Sequence, residues 1–140
     1  MNLLVIDAQG GGIGRQIISA VKKSFPEQSV TAVGTNSTAT SAMLKAGADN
    51  AATGENSVIV CCRNADLIAG PIGIVIADSL MGEITPKMAA AIGQSNARRI
   101  LIPVNHCNNY IVGVPDLSLA RLIDGVVKEI EKYVKGEMKR

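Results

Sequence analysis

"VIDAQGGGIGRQI", residues 5 to 17, decides how the rest of the chain is read. A branched apolar run stops at Asp7 and three glycines follow at Gly10, Gly11 and Gly12. A pattern at helical spacing then begins with Ile13, Ile17 and Val21, with Ile18 beside them. The apolar run is what a strand covered on both faces requires. The change of period predicts a strand, a sharp turn and a helix. Glycine permits the positive φ angles that such a turn needs. A backbone bare of side chains also admits a ligand's phosphates, at which the first helical amides point and to which the helix dipole adds partial positive charge. A plain connection would need fewer glycines than these three plus Gly14, and each surplus glycine weakens the local structure. A phosphate-bearing ligand is therefore expected here, against the alternative of a merely flexible turn.

Outward from this turn, strand and helix patterns alternate. "SVTAV" (29–33) reads as a second strand and "TNSTATSAMLKAGA" as a second helix closing near Gly47. "DNAAT" (49–53) is a short third strand, and "GENSVIVCCRNA" a third helix with Val58, Cys61 and Cys62 on one face. "DLIAG" (66–70) is a fourth strand. The pattern over 74–78 fits strand or helix equally. "TPKMAAAIGQSNA" opens with Thr85 as cap and Pro86 at the first helical position, a strong start signal. "RRILIPV" (98–104) is a fifth strand and "NYIVGV" (109–114) a sixth at an edge. In the last helix Leu119, Leu122, Ile123, Val126, Val127, Ile130 and Tyr133 form one apolar stripe. Strands separated by helices pair in parallel through crossovers. The expected fold is α/β: a three-layer αβα sandwich around a doubly wound, mainly parallel, Rossmann-like sheet. In such sheets ligands bind at the carboxyl ends of the strands, where the strand order reverses.

A chain of 140 residues suits one domain, 1–140, with one core. Hydrophobic residues make up 47%, high enough that a second copy is expected to cover part of the surface as a homo-oligomer, most simply a dimer. Net charge is +2 and aromatics are 2%, with no Trp, which argues against nucleic acid as a partner. "KEIEKYVKGEMKR" mixes both signs and reads as a solvated helix face. The longest apolar stretch, Ile72 to Ala77, falls far short of the ~20 residues that cross a bilayer. Three cysteines, two of them adjacent, and no leader pattern lead to a reducing, cytoplasmic setting as the expectation.

The glycine spacing departs from G-x-G-x-x-G, because Gly10 and Gly12 would put Arg15 at the last position. No G-K-[ST] follows, so it is not a P-loop either. The turn is similar to the G-x-x-x-G-x-G of short-chain dehydrogenases, read as Ala8 to Gly14 with Ala8 at the first glycine. On that resemblance Gly10, Gly11, Gly12, Ile13 and Gly14 meet the phosphates; Arg15, one turn into the helix, is placed to assist with a 2′-phosphate on the ribose. At the end of strand two, where dinucleotide sites hold an acidic residue, the chain has "GTNST". Thr35, Asn36 and Ser37 offer neutral donors and acceptors for a ribose or a 2′-phosphate, or they cap the second helix. With no carboxylate there to repel a phosphate, NADP is favoured over NAD. "AGPIG" at the end of strand four resembles the stretch lining the nicotinamide side of those dehydrogenases, which implies contacts from Gly70 and Pro71.

The catalytic residues are not named by the sequence. The dehydrogenase reaction needs a Tyr with a Lys four residues on, but Tyr110 is followed there by Val114 and Tyr133 by Glu137. His106, the one histidine, and Cys107 lie after strand five in a loop rich in asparagine. Adjacent residues on a strand point to opposite faces, which argues against a local dyad. Cys61 and Cys62 lack the spacing of a zinc site, so no metal is expected. Asp78, Ser79, Glu83 and Thr85 surround the start of the fourth helix, where capping is the default role of such residues. Asp78 interrupts an apolar run and Asp7 stands at the mouth of strand one, which gives both a claim to a site.

"QGGGIG" (9–14), "AVGTNSTATSAMLKAGA" (32–48), "ATGEN" (52–56), "GPIGIVIADSLMGEITPKMAAAIGQS" (70–95) and "ILIPVN" (100–105) together resemble a bacterial family of small Rossmann-like proteins, a domain of unknown function found mostly in anaerobic Gram-positive bacteria. The resemblance implies the fold and leaves function to the site. The residues lead to a nucleotide- or dinucleotide-binding domain acting as sensor, carrier or subunit. Two alternatives stand beside it: an oxidoreductase-like enzyme whose site is completed at a homo-oligomer interface, and an interaction module without ligand.

Overall fold

The computed structural model describes residues 1–104 and 108–136. β1 (Leu3–Asp7) is buried at every position, as its unbroken apolar run requires. It is flanked by β2 (Val30–Gly34) and β4 (Leu67–Pro71), with β3 (Asn50–Thr53) and β5 (Arg98–Ile102) at the edges. The order is β3-β2-β1-β4-β5 and every pairing is parallel. The chain moves outward from β1 to β3, then returns to the other side of β1, so the reversal lies between β1 and β4. Asp7 pairs with Gly34, and β4 runs on to Pro71, which brings three strand ends to one rim.

Side-chain alternation sends each strand into two cores. Leu3, Val5, Leu67, Ala69, Ile100 and Ile102 face α1 (Gly12–Ser24), α2 (Ser37–Lys45) and α5 (Leu119–Val134) through Ile17, Ile18, Met43, Ile123, Val126 and Ile130. Leu4, Ile6 and Ile68 face α3 (Glu55–Cys62) and α4 (Pro86–Gln94) through Val58, Cys62, Met88 and Ile92. Each fully buried Leu or Ile contributes roughly 1.5–3 kcal/mol over leaving it exposed. The result is a three-layer α/β sandwich.

Helix starts follow their local chemistry. The Asn36 side chain accepts the Ala39 amide, Thr85 the Met88 amide and Ser118 the Arg121 amide, while Gly11 opens α1 in the left-handed region at φ 72°. Of the stretch 74–78, open in sequence between strand and helix, the first two residues end a short 3-10 turn, Ile72–Val75, and 76–78 form a bend and turn; Gly73 packs against Ser79 and Leu80.

The expected sixth strand over 109–114 does not form. Asn108 at φ 66° and Gly113 at φ 83° turn the chain at both ends, and Tyr110 and Val112 are each 85% exposed with no sheet to lie on. Of "VNHCNNY", Asn105, His106 and Cys107 lie outside the described residues, so their expected roles do too.

Candidate functional site

The four turn glycines have different jobs. A methyl group at Gly11 would stand 2.8 Å from the Ala39 carbonyl oxygen, and at Gly14 it would stand 2.9 Å from Asp7 Cβ and 2.6 Å from Met43 Sδ. These two let α1 lie close to α2 and β1. Gly10 and Gly12 have nothing within 4 Å of that point. Both line a cavity of about 200 Å³ at the mouth of β1, together with Ile13, Pro71 and Leu80. That is smaller than the roughly 300–1,000 Å³ of a whole small-molecule site. A volume of that size has room for a group such as a phosphate and not for a whole nucleotide.

Asp7 sits beneath this cavity, 4% exposed, with Oδ1 accepting the Ala8 amide at 2.8 Å and Oδ2 the Gly14 amide at 2.6 Å. Burial pushes its pKa up; bonds from Gly14, Ala8 and Ile13 pull it back in part, and the charge of Glu83 adds to the rise. The Gly11 amide closes the turn on the Ala8 carbonyl. Part of the helix start is therefore committed to the protein's own carboxylate, and the backbone at Gly10 and Gly12 stays bare beside it.

A second carboxylate stands at the end of β2. Glu83 reaches it from the segment between the 3-10 turn and α4, where Asp78, Leu80, Met81 and Gly82 all have positive φ. Its Oε1 accepts the Thr35 hydroxyl at 2.6 Å, the Asn36 side-chain amide at 2.8 Å and the Gln9 backbone amide at 2.9 Å. Burial raises the pKa of Glu83, but the bonds from Thr35, Gln9 and Asn36 outweigh it and hold the carboxyl below its ordinary value. The expectation that no carboxylate occupies this corner, on which the preference for NADP rested, does not hold. Thr35 and Asn36 do meet at the rim, but as donors to Glu83, and Asn36 also caps α2 through its Oδ1.

The remaining expected residues separate. Arg15 and Ser37 line a different depression, an open groove of about 940 Å³ over α1 between α2 and α5, with Lys23, Lys45 and Asp124. Gly70 is filled by the chain itself: a methyl there would stand 2.4 Å from the Ile6 carbonyl oxygen and 3.0 Å from Ile74 Cδ1. Asp78 is exposed, its amide closing the segment on the Ile84 carbonyl at 2.7 Å. Cys62 is buried and its thiol is pushed up to about 11 by burial and the neighbouring Cys61, so it stays protonated and unreactive. Among the described residues no three His, Cys, Asp or Glu stand together in a way that would hold a metal ion. No described helix is long and apolar enough to cross a membrane.

Gln9, Leu80 and Glu83 were not singled out as site residues by the sequence. Gln9 was hidden as the variable position of a glycine motif. The sequence places Glu83 at the α4 start, but Thr85 caps that helix and donates in turn to Glu55 Oε2 at 2.6 Å. The one available signal was a carboxylate two residues ahead of a complete capping unit, where it is not needed.

Strand order, helix placement and a glycine turn opening on the reversal point define a Rossmann-like α/β protein. Residues 2–135 match the family model described as Domain of unknown function (DUF3842), and the chain belongs to that family. No curated protein and no solved structure matches it.

Proposed function

We propose that the protein is a nucleotide- or dinucleotide-binding domain that holds a phosphate-bearing ligand over Gly10 and Gly12 and acts as a sensor, carrier or subunit. One observation carries this: two glycines that no internal contact requires face an open cavity at the switch point of the sheet. The phosphate lies against their backbone at the start of α1, and the sugar extends past Gln9 toward Thr35 and Asn36. The exposed Tyr110 and Val112 support a homo-oligomeric form that covers them.

A thermal-shift screen against NAD, NADP, mononucleotides and coenzyme A tests the proposal. A ligand at a hundred times its Kd adds roughly 2.7 kcal/mol and raises the midpoint accordingly. A flat response to every compound at millimolar concentration contradicts it and leaves the interaction module.

A further inference from the structure

A carboxylate occupies the carboxyl end of β2 although neither β2 nor the turn after it contains an acidic residue. Glu83 arrives there from a segment 47 positions beyond Asn36. Its place is fixed from two loops at once: Gln9 of the β1 turn donates through its backbone, and Thr35 and Asn36 of the β2 turn donate through their side chains. Asn36 is held in its turn by the Ala39 amide at 2.9 Å and by donating to the Gln9 carbonyl at 2.9 Å. All three donors to Glu83 converge on Oε1, so Oε2 takes no part in these bonds. Gln9 and Leu80, the latter from the same segment as Glu83, also line the cavity over Gly10 and Gly12. Glu83 does not itself line the cavity but is bonded directly to Gln9, which does.

In sheets of this order, a carboxylate at the end of the second strand accepts hydrogen bonds from the ribose hydroxyls, and an arginine accommodates a 2′-phosphate. We infer that Glu83 is the ribose acceptor of this site, supplied from the segment before α4 rather than from β2, and that the ligand is a nucleotide with a free 2′,3′-diol. This rests on the proposed nucleotide site over Gly10 and Gly12. A 2′-phosphate finds the donors of Thr35 and Asn36 already engaged and meets a like charge at hydrogen-bond distance. Arg15, the cation expected to offset that charge, lines the groove over α1 instead. A diol needs only an acceptor, and Oε2 provides one.

The test compares ADP-ribose with its 2′-phosphate by isothermal titration on the wild type, Glu83→Gln and Glu83→Ala. Circular dichroism confirms that each variant is folded, and the isosteric glutamine keeps the ties to Thr35 and Gln9. The expected result is wild-type preference for ADP-ribose of at least tenfold. Glu83→Gln brings the ratio close to one, chiefly by strengthening the 2′-phosphate, and Glu83→Ala weakens ADP-ribose about tenfold. An unchanged ratio in Glu83→Gln overturns the inference while leaving the nucleotide site intact. So does tighter binding of both ligands in Glu83→Ala, which makes Glu83 a competitor of the ligand rather than its acceptor. Failure of all three proteins to bind either compound overturns the nucleotide site itself.

Discussion

At Gly11 a methyl group would stand 2.8 Å from a backbone oxygen in a residue with φ +72°, whereas at Gly12 it would meet nothing within 4 Å. The two glycines are adjacent and look alike in the sequence, but they answer to different demands. Gly11→Ala is expected to destabilise the fold by about 1–3 kcal/mol through overpacking and a disfavoured backbone. Gly12→Ala is expected to leave stability unchanged or raise it by up to about 1 kcal/mol, since alanine is the better helix former. It is also expected to lower nucleotide affinity by narrowing the cavity. Urea unfolding midpoints of the two variants check this, and equal losses at both sites contradict the division of labour. The turn itself was legible because glycine marks a backbone that side chains cannot follow. Which glycines packing requires and which it leaves free was not legible, because that depends on Ala39 and Met43 in the next helix. Glu83 was illegible for a similar reason, its partners lying at Gln9, Thr35 and Asn36.

Element by element, the regular structure could be read where a local rule acts alone. Thr85 and Pro86 announced α4, the apolar stripe from Leu119 announced α5, and the unbroken run before Asp7 announced a buried strand. The rule failed over 109–114, where the run Tyr110–Val112 suggests a strand but left-handed residues at each end and the lack of a covered face leave an irregular stretch. Thr85 has more to do than the sequence shows. Its hydroxyl oxygen accepts the Met88 amide at 3.1 Å, and its proton goes to Glu55 Oε2, tying α4 to the start of α3. Thr85→Ala is expected to cost about 1 kcal/mol, the usual loss for a removed N-cap. Thr85→Ser is expected to recover most of it. Thermal unfolding of the pair checks the assignment; an alanine variant as stable as the wild type would show that the cap is dispensable.

For the molecule as a whole, alternation of strands and helices was enough to imply a parallel sheet with helices on both faces, because few connections satisfy it. The order β3-β2-β1-β4-β5 then puts the ends of β1, β2 and β4 on one rim. That rim carries a small cavity lined by Asp7, with Glu83 fixed beside it through Gln9, while a larger groove lies elsewhere, over α1, with Arg15, Lys23 and Lys45 around it. The two places separate the central claim from its rival in one measurement, amide chemical-shift mapping of the labelled protein titrated with ADP-ribose. Saturable shifts centred on Gln9, Gly10, Gly12 and Ile13, extending to Leu80 and Glu83, are the predicted result. Shifts confined to α1, α2 and α5 around Lys23 and Lys45, or none up to millimolar ligand, would contradict it.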